Sequence, residues 1–348
     1  MVRLANPANP LSRAASARLD VTGTSRYRVC ELVVESSVPL PELTQVEGGS
    51  PDCRFEVFPP AEGFTGDVHW FHQWKDADQQ TWLKLADRGE DYLLLFFDQC
   101  DGQCDFLISR DGSNIRCRPL PGTPESTIRH LFLDQVVPLV LSRQESLVLH
   151  ASAILTPQGV IAFIGKSGQG KSTLAACFGQ CGFRLLSDDY LVLRKMTLRQ
   201  RADDWVAIPS YPGVRLWPES SDGIFSVPPD SAEIAHYTDK RRVSDPALVP
   251  FAVAPSALRC LYFLNDESEA CLPEPSVRPL RPREAFMKLV SCAFSLDIRD
   301  KARLERQFEA IGQITRQLPC FQLEYARDFA MLPAVRRMIV DQPVRSEL

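Results

Sequence analysis

The sequence lacks any uninterrupted run of about 18 apolar residues, which is roughly what a membrane-spanning helix needs. Its N-terminal segment contains basic residues but no apolar stretch typical of a signal peptide. Excess positive charge is also missing, because 39 Lys and Arg residues face 44 Asp and Glu residues. These absences predict a cytoplasmic protein without membrane contact, and they argue against nucleic acid as a partner.

Internal repeats are absent too, and the cysteines lack the spacing of a metal site. The 11 cysteines are scattered through apolar segments such as CRFEVF and TLAACFGQCGF, which predicts reduced and mostly buried thiols. Cys100 and Cys104 flank a turn-like DGQ, but no second pair and no histidine lies nearby. A hairpin turn is therefore favoured over a metal site there.

The distribution of apolar segments divides the 348-residue chain into three parts. Residues 1–25 are rich in Ala, Arg, Ser, Asn and Pro without a hydrophobic period, which predicts a flexible tail. Residues 26–122 contain short apolar runs separated by turn residues, which predicts a smaller, mainly antiparallel β module. Residues 123–348 alternate strand-like and helix-like segments, which predicts an α/β domain with helices on the faces of its sheet.

A helix is predicted at the start of the third part. Thr123, followed by Pro and Glu, has the composition of a helix N-cap and first turn, ahead of IRHLFLDQVVPLVLSR. Pro138 lies inside this segment and is expected to bend the helix or to end it early.

The segment GKSGQGKST at residues 165–173 matches the phosphate-binding pattern G-x-x-x-x-G-K-[ST]. The strand-like VIAFI precedes it and the helix-forming TLAACFG follows it, which is the context that this pattern requires. Glycines in such a loop let backbone N–H groups and the helix N-terminus face a polyphosphate. The alternative is an ordinary glycine-rich turn between a strand and a helix.

The loop predicts ATP, or another nucleoside triphosphate, together with Mg²⁺ as cofactors. Lys171 is expected to reach the β and γ phosphates and to stabilise charge during transfer, while the Ser172 hydroxyl is expected to bind the metal. The predicted nucleotide-binding residues are Gly165, Ser167, Gly168, Gln169, Gly170, Lys171, Ser172 and Thr173.

Two further segments place titratable groups near the loop. FRLLSDDYLVL puts Asp188 and Asp189 directly after a strand-like run, where one carboxylate could bind Mg²⁺ and the other could accept a proton. A solvated turn is the alternative. His150 lies 15 residues before Gly165, on what reads as the neighbouring strand, and either contributes to the site or is a satisfied core histidine.

Taken together, LHASAILTPQGVIAFIGKSGQGKS and RLLSDDYLVL resemble the catalytic domain of the HPr kinase/phosphorylase family of serine kinases. The N-terminal β module and the C-terminal segments look more like divergent relatives of that family, which include lasso peptide serine kinases. The resemblance implies a P-loop kinase whose substrate is a peptide or small protein. Because family relatives are often oligomeric, it also leaves a homo-oligomer open.

The resemblance also implies roles for individual residues. Asp188 would be the general base for a substrate serine, His150 would orient or protonate it, and Asp189 with Ser172 would hold Mg²⁺. The segment AIPSYPGVRLWPES resembles a stretch of the divergent relatives, so Arg215 is a candidate contact for substrate or phosphate.

A basic segment, TDKRR, follows at residues 238–242. Lys240, Arg241 and Arg242 could clamp a phosphate or an acidic substrate terminus, or could form a solvated basic turn.

The sequence favours a serine kinase acting on a peptide. Two alternatives remain, a small-molecule kinase with the same site and a nucleotide-binding ATPase or sensor. The β module could bind a peptide at a sheet edge or could stabilise the kinase domain. Its aromatic residues Trp70, Phe71, Trp74 and Trp82 could form a binding face, although a position in the core is favoured.

Overall fold

The computed structural model describes residues 23–59, 68–75, 81–97, 103–144, 146–195, 205–265 and 274–342. Most of the tail predicted for residues 1–25, and Cys100 of the predicted hairpin turn, lie outside these ranges. Over the described ranges no helix is long and apolar enough to cross a membrane. The fold is a mixed α/β arrangement with two nine-stranded sheets and one three-stranded sheet.

The first sheet is formed by residues that precede the predicted helix. Its strands are β1 (Ser25–Val29), β2 (Leu32–Ser36), β3 (Thr44–Gln45), β4 (Cys53–Val57), β5 (His69–Lys75), β6 (Thr81–Arg88), β7 (Asp91–Phe97), β8 (Gln103–Ser109) and β9 (Asn114–Pro119). Their spatial order is β3-β1-β2-β4-β9-β8-β7-β6-β5. The pairs are antiparallel except β2 with β4 and β4 with β9. Exposed and buried residues alternate along β9, so one face of this strand packs on the core.

The helical segment that follows changes its hydrogen-bonding pattern twice. Helix α1 (Glu125–Leu131) leads into a π-helical turn at Phe132–Val136, and then α2 spans Val137–Leu141. The predicted N-cap at Thr123 is wrong, because Pro124 occupies the cap position and no side chain caps the helix. Pro138 lies in the first turn of α2, where its missing N–H is tolerated, and the π turn precedes it.

The described residues from 146 onwards form the second nine-stranded sheet, the three-stranded sheet and five α-helices. The strands are β10 (Leu147–Leu149), β11 (Ala151–Thr156), β12 (Gly159–Ile164), β13 (Arg184–Ser187), β14 (Leu191–Lys195), β15 (Trp205–Ile208), β16 (Val214–Leu216), β17 (Ala232–Glu233), β18 (Arg241–Val243), β19 (Ser256–Leu264), β20 (Ser276–Pro279) and β21 (Cys320–Glu324). The helices are α3 (Lys171–Gly179), α4 (Pro218–Ile224), α5 (Pro282–Val290), α6 (Lys301–Gln317) and α7 (Leu332–Asp341).

The order within the second sheet is β10-β14-β15-β19-β12-β11-β13, and β21 pairs with both β19 and β20. Strand β12 lies beside its antiparallel hairpin partner β11 and its parallel partner β19. Strands β16, β18 and β17 form the small third sheet in that order. The alternation predicted from the sequence is therefore present, with hairpins as well as parallel pairs.

The core of the first sheet continues into the second half of the chain. Phe55 of β4 stacks on Phe132 of the π turn, with ring centroids 3.8 Å apart. Tyr190 and Tyr211 also belong to this core, although they come from the segments around the second and third sheets. The helical segment that begins the third part of the chain is thus packed against the first sheet.

The sequence left open whether the aromatic residues of the first sheet form a binding face or belong to the core. The structure packs some of them against the core and places one at the surface. Phe71, Trp74 and Trp82 are partly buried and pack against the core of the first sheet. Trp70 is 38% exposed, and the Lys84 ammonium lies 5.7 Å from its ring centroid. Three of the four residues therefore mainly contribute to packing.

Candidate functional site

The glycine-rich segment forms the connection between β12 and α3. Gly168 and Gly170 have φ angles of 82° and 86°, in the left-handed region that non-glycine residues adopt only at a cost. A Cβ atom at Gly165 would collide with the Gln169 side chain, whose Oε1 accepts a bond of 2.5 Å from the Lys166 backbone N–H. The loop thus holds its shape through its glycines and Gln169, and it leads directly to the N-terminus of α3.

The Lys171 side chain is 5% exposed and folds back over this loop. Its ammonium donates to the carbonyl oxygens of Gly165 at 2.7 Å and Lys166 at 2.8 Å. Burial lowers the pKa of Lys171 to about 8, although the carboxylates of Asp189 and Asp188 act in the opposite direction. The lysine therefore lies on the loop itself, with its charge partly desolvated.

His150 lies just before β11 and contacts both the loop lysine and the aspartate segment. Its Nδ1 is 2.7 Å from the Asp189 carbonyl oxygen, and its Nε2 is 3.0 Å from the Lys171 Nζ. Because a carbonyl only accepts, we assign the proton to Nδ1 and leave Nε2 to accept from the ammonium. Burial, followed by the charge of Lys171, lowers the pKa of His150 to about 4, so the ring is neutral near pH 7.

Asp188 is almost completely buried and is surrounded by donors. Its Oδ1 accepts from the Ser172 hydroxyl at 2.8 Å and from the Ser152 hydroxyl at 2.5 Å. Its Oδ2 accepts from the backbone N–H of Arg215 at 2.9 Å. The structure therefore places Ser172 against Asp188.

Asp189 differs from its neighbour in conformation and exposure. It has a φ of 68°, a left-handed conformation that is uncommon outside glycine, and its side chain is 24% exposed. Its Oδ2 lies 3.2 Å from the Arg215 Nη1. Burial alone would raise the pKa of Asp189, but the nearby positive charges, led by Arg215, together outweigh burial and hold that pKa below its usual value.

The basic residues predicted to contact a substrate divide between buried and solvent-exposed positions. The Arg215 side chain is 2% exposed and pairs with Asp134, Asp188 and Asp189. Arg242 is buried and pairs with Glu42 at 3.2 Å.

The other two predicted substrate contacts reach solvent. Arg241 bonds the Ser231 carbonyl at 2.8 Å on the exposed side of β18. The Lys240 ammonium lies 5.3 Å from the centroid of the Trp217 ring, which is 42% exposed. The positive charge of Lys240 also acts to lower the pKa values of Lys171 and Asp189.

The remaining predicted loop residues lie at the surface of the site. Ser167 is exposed, and the Thr173 hydroxyl donates to the Ser220 hydroxyl of α4 at 3.3 Å. Three contacts of the site were missed by sequence reasoning, namely those of Ser152, Asp134 and Arg327. Arg327 donates to the Gly168 carbonyl at 3.1 Å. Only Ser152 had a signal in the sequence, since it lies two positions after His150, at the start of β11.

The assembled site combines a backbone loop, a lysine, a serine hydroxyl and two carboxylates in different environments. Hydroxyl and carboxylate oxygens are ligands that suit a hard divalent cation, and the loop with the helix N-terminus suits an anion. Over the described residues there is no group of three or more His, Cys, Asp or Glu side chains that could hold a metal ion. A cation bound at Ser172 and Asp188 would therefore need ligands from another molecule or from water.

No family model and no curated protein matches the chain. Among solved structures, the chain is similar to the HPr(Ser) kinase/phosphatase from Coxiella burnetii, with 13% sequence identity and a TM-score of 0.29. The match covers 56% of this chain and 97% of that chain. At this TM-score the likeness establishes neither the fold nor the activity of the chain, and the function is inferred from the site alone.

Proposed function

We propose that the protein is an ATP-dependent kinase that transfers the γ-phosphate to a hydroxyl group of a peptide or small protein. The observation that carries this proposal is the contact between Ser172 and Asp188, next to an accessible second carboxylate at Asp189. A nucleotide-binding site alone needs only the first of these two carboxylates. A second carboxylate at the surface of the same site provides a base for an acceptor hydroxyl.

The residues fit a magnesium-bound nucleoside triphosphate. The loop presents backbone N–H groups at the N-terminus of α3, and the Lys171 ammonium lies against the same loop. Ser172 and Asp188 supply the oxygen ligands that Mg²⁺ prefers. When bound, MgATP would supply the phosphoryl group and the metal charge that balances its oxygens.

We assign the two aspartates opposite roles from those that the family resemblance implies. Asp188 is buried and already accepts bonds from two serine hydroxyls and one backbone N–H, so an acceptor hydroxyl has no access to it. Asp189 is the more exposed member of the pair, with 24% of its side chain accessible, and nearby positive charges led by Arg215 keep its pKa below the usual value. Asp188 therefore supports the metal with Ser172, and Asp189 accepts the proton of the acceptor hydroxyl.

His150 and Lys171 complete the catalytic set. The His150 N–H holds the Asp189 carbonyl and thereby helps to fix the left-handed backbone of the proposed base. The Lys171 ammonium neutralises charge on the phosphoryl group during transfer. A polyphosphate would have to compete with the loop carbonyls for this ammonium.

The acceptor would approach from the side of Lys240 and Trp217. Both side chains reach solvent, and the positive charge of Lys240 acts to lower the pKa of Asp189. An exposed indole ring beside a cation is better suited to contact an extended peptide than to enclose a small metabolite. This surface favours the peptide acceptor over the small-molecule acceptor that the sequence left open.

The proposal is tested with purified protein, labelled ATP and a library of serine-containing peptides, followed by mass spectrometry. Wild-type protein should phosphorylate a serine peptide, and Asp189→Asn should lower kcat by about 10²- to 10⁴-fold, the range for loss of a general base. Nucleotide affinity should remain. Asp222→Asn removes an exposed carboxylate of α4 and should have no effect.

The outcomes separate the three functions. Nucleotide hydrolysis without transfer to any hydroxyl, unaffected by Asp189→Asn, would overturn the kinase proposal in favour of an ATPase or sensor. Transfer to small alcohols or metabolites but to no peptide would favour the small-molecule kinase. Equal losses in Asp189→Asn and Asp222→Asn would show that the assigned base is wrong.

A further inference from the structure

A buried arginine lies directly beneath the two proposed catalytic aspartates. Arg215 donates from Nη2 to the Asp188 carbonyl at 2.7 Å, and its Nη1 lies 3.2 Å from the Asp189 carboxylate. Its backbone N–H also bonds the Asp188 carboxylate. One side chain therefore holds the backbone of the first aspartate and the carboxylate of the second.

A third carboxylate, Asp134, holds this arginine from the opposite side. Asp134 is fully buried and pairs with Arg215 Nη1, and it accepts a bond from the Tyr211 hydroxyl. His130 Nδ1 contacts its other oxygen at 2.7 Å. Burial by itself would raise the pKa of Asp134, but Arg215 and His130 outweigh burial and lower it, so the carboxylate is charged.

Stability alone does not explain this third carboxylate. Asp188 and Asp189 already balance the charge of Arg215, and burying an additional ion carries a desolvation cost before its pairing is counted. Buried ionic groups are best attested where they select one arrangement of their partners. Asp134 also lies on the π-helical turn Phe132–Val136, a rare conformation that is frequent at functional sites.

We propose that Asp134 is a positioning residue that fixes Arg215 and, through it, the geometry of Asp188 and Asp189. This inference rests on the proposed function. It also gives the first sheet a role in the site, because Phe132, two residues before Asp134, stacks on Phe55 of β4 at 3.8 Å. The first sheet therefore supports the turn that orients the catalytic aspartates.

The test compares Asp134→Asn, which keeps the side-chain shape but removes the charge, with Glu42→Gln. Glu42 is a matched control because its side chain is only 10% exposed and pairs with Arg129 and Arg242 but not with Arg215. Two quantities are measured, the gain in nucleotide affinity on adding Mg²⁺ and the kcat for peptide phosphorylation. The affinity for ATP in the presence of EDTA, measured by calorimetry, gives the contribution of the loop without Mg²⁺.

Asp134→Asn should leave ATP affinity in EDTA and the KM for peptide unchanged. It should reduce the Mg²⁺-dependent gain in affinity and kcat by about 10- to 100-fold, the usual effect of losing a partner that orients a metal-binding carboxylate. Glu42→Gln should change neither. Adding Asp134→Asn to Arg215→Lys should cost no more than Arg215→Lys alone, because both act through the same contact.

Asp134→Asn leaves a buried arginine with one fewer partner and could prevent folding, so His130→Leu provides a second variant. It removes the hydrogen bond to Asp134 and the ring contact with Tyr237 but leaves the Asp134 carboxylate in place, and it should cause a smaller loss of the same two quantities. Wild-type values of both quantities in a folded Asp134→Asn or His130→Leu would overturn the proposal. So would equal losses in Glu42→Gln.

The two proposals fail in different ways. If wild-type protein binds MgATP but phosphorylates nothing, the kinase function fails while the Mg²⁺-dependent affinity still tests Asp134. If wild-type protein is active and Asp134→Asn retains the full Mg²⁺ effect and full kcat, only the role of Asp134 fails.

Discussion

The imidazole of His150 is held between a carbonyl oxygen and an ammonium group, and this environment keeps it neutral. Burial lowers its pKa from 6.5 to about 4. As the pH falls through this interval, the unfolded chain takes up a proton at residue 150 that the folded chain does not. The stability that depends on neutral His150 is therefore complete above about pH 6.5 and is lost as the pH falls towards 4.

We expect His150→Asn to reduce this acid sensitivity in the nucleotide-free protein. The pH-dependent loss attributed to His150 is on the order of 3 kcal/mol between the two pKa values, and the variant should lack it. Urea unfolding at about pH 7 and about pH 4.5 gives the difference for each protein. His69→Asn, a change at an exposed histidine, should retain the wild-type difference, and the same result for His150→Asn would contradict the prediction.

The residues of the site could be found from sequence largely because their spacing is local. The loop, Lys171 and Ser172 form one continuous pattern, and Asp188 and Asp189 follow the next strand. Which aspartate meets Ser172 could not be predicted, because the answer depends on the left-handed backbone at Asp189 and on Arg215 beneath it. Arg215 reaches the site through a separate three-stranded sheet, and no spacing in the sequence indicates this.

The loop between β12 and α3 depends on two left-handed glycines, Gly168 and Gly170, for its geometry. Gly170→Ala should cost roughly 1–2 kcal/mol of stability and should also weaken nucleotide binding, because the loop must shift to relieve the strain. Gly182 has a φ of 82° and no atom within 4 Å of an added Cβ, so Gly182→Ala is a matched control. Chemical unfolding and nucleotide titration of both variants measure the two effects.

Both glycine variants should lose similar stability, since both backbones are left-handed. Only Gly170→Ala should lose affinity, because Gly182 follows the far end of α3. Equal affinities in the two variants would show that the shape of the loop does not govern binding.

The helices and strands themselves were predictable where their patterns are regular. The hairpin of β11 and β12 and the start of α3 follow from apolar runs with turn residues between them. The π turn at Phe132–Val136 was not predictable, because its sequence FLDQV has no feature that distinguishes it from an α-helical turn. The turn is associated instead with tertiary contacts, the stacking of Phe132 and the pairing of Asp134 with Arg215.

Side chains from the two parts of the chain, before and after residue 123, contact one another. The division predicted at residue 123 did not anticipate these contacts. Tyr92 of the first sheet donates to Asp297 at 3.0 Å, and Arg299 pairs with Asp87. Tyr190 and Tyr211 pack in the core of the first sheet. A cooperative transition that includes both sheets is the expected consequence.

Phe55→Ala tests this cooperativity. The ring is fully buried and stacks on Phe132, so the change should lower the free energy of unfolding by about 3–5 kcal/mol. Hydrogen exchange measured strand by strand should show loss of protection in β7 and in β12 together. Full protection of β12 beside a deprotected β7 would show that the two sheets unfold independently.

The stacking of Phe55 on Phe132 has a consequence for the history of the molecule. A duplication or fusion that moved the glycine-rich loop and its helices to another gene without β4 would uncover the ring of Phe132 and loosen the turn that bears Asp134. Descendants of this chain should therefore inherit both parts together. Where one ring is replaced by a smaller side chain, the other should change with it.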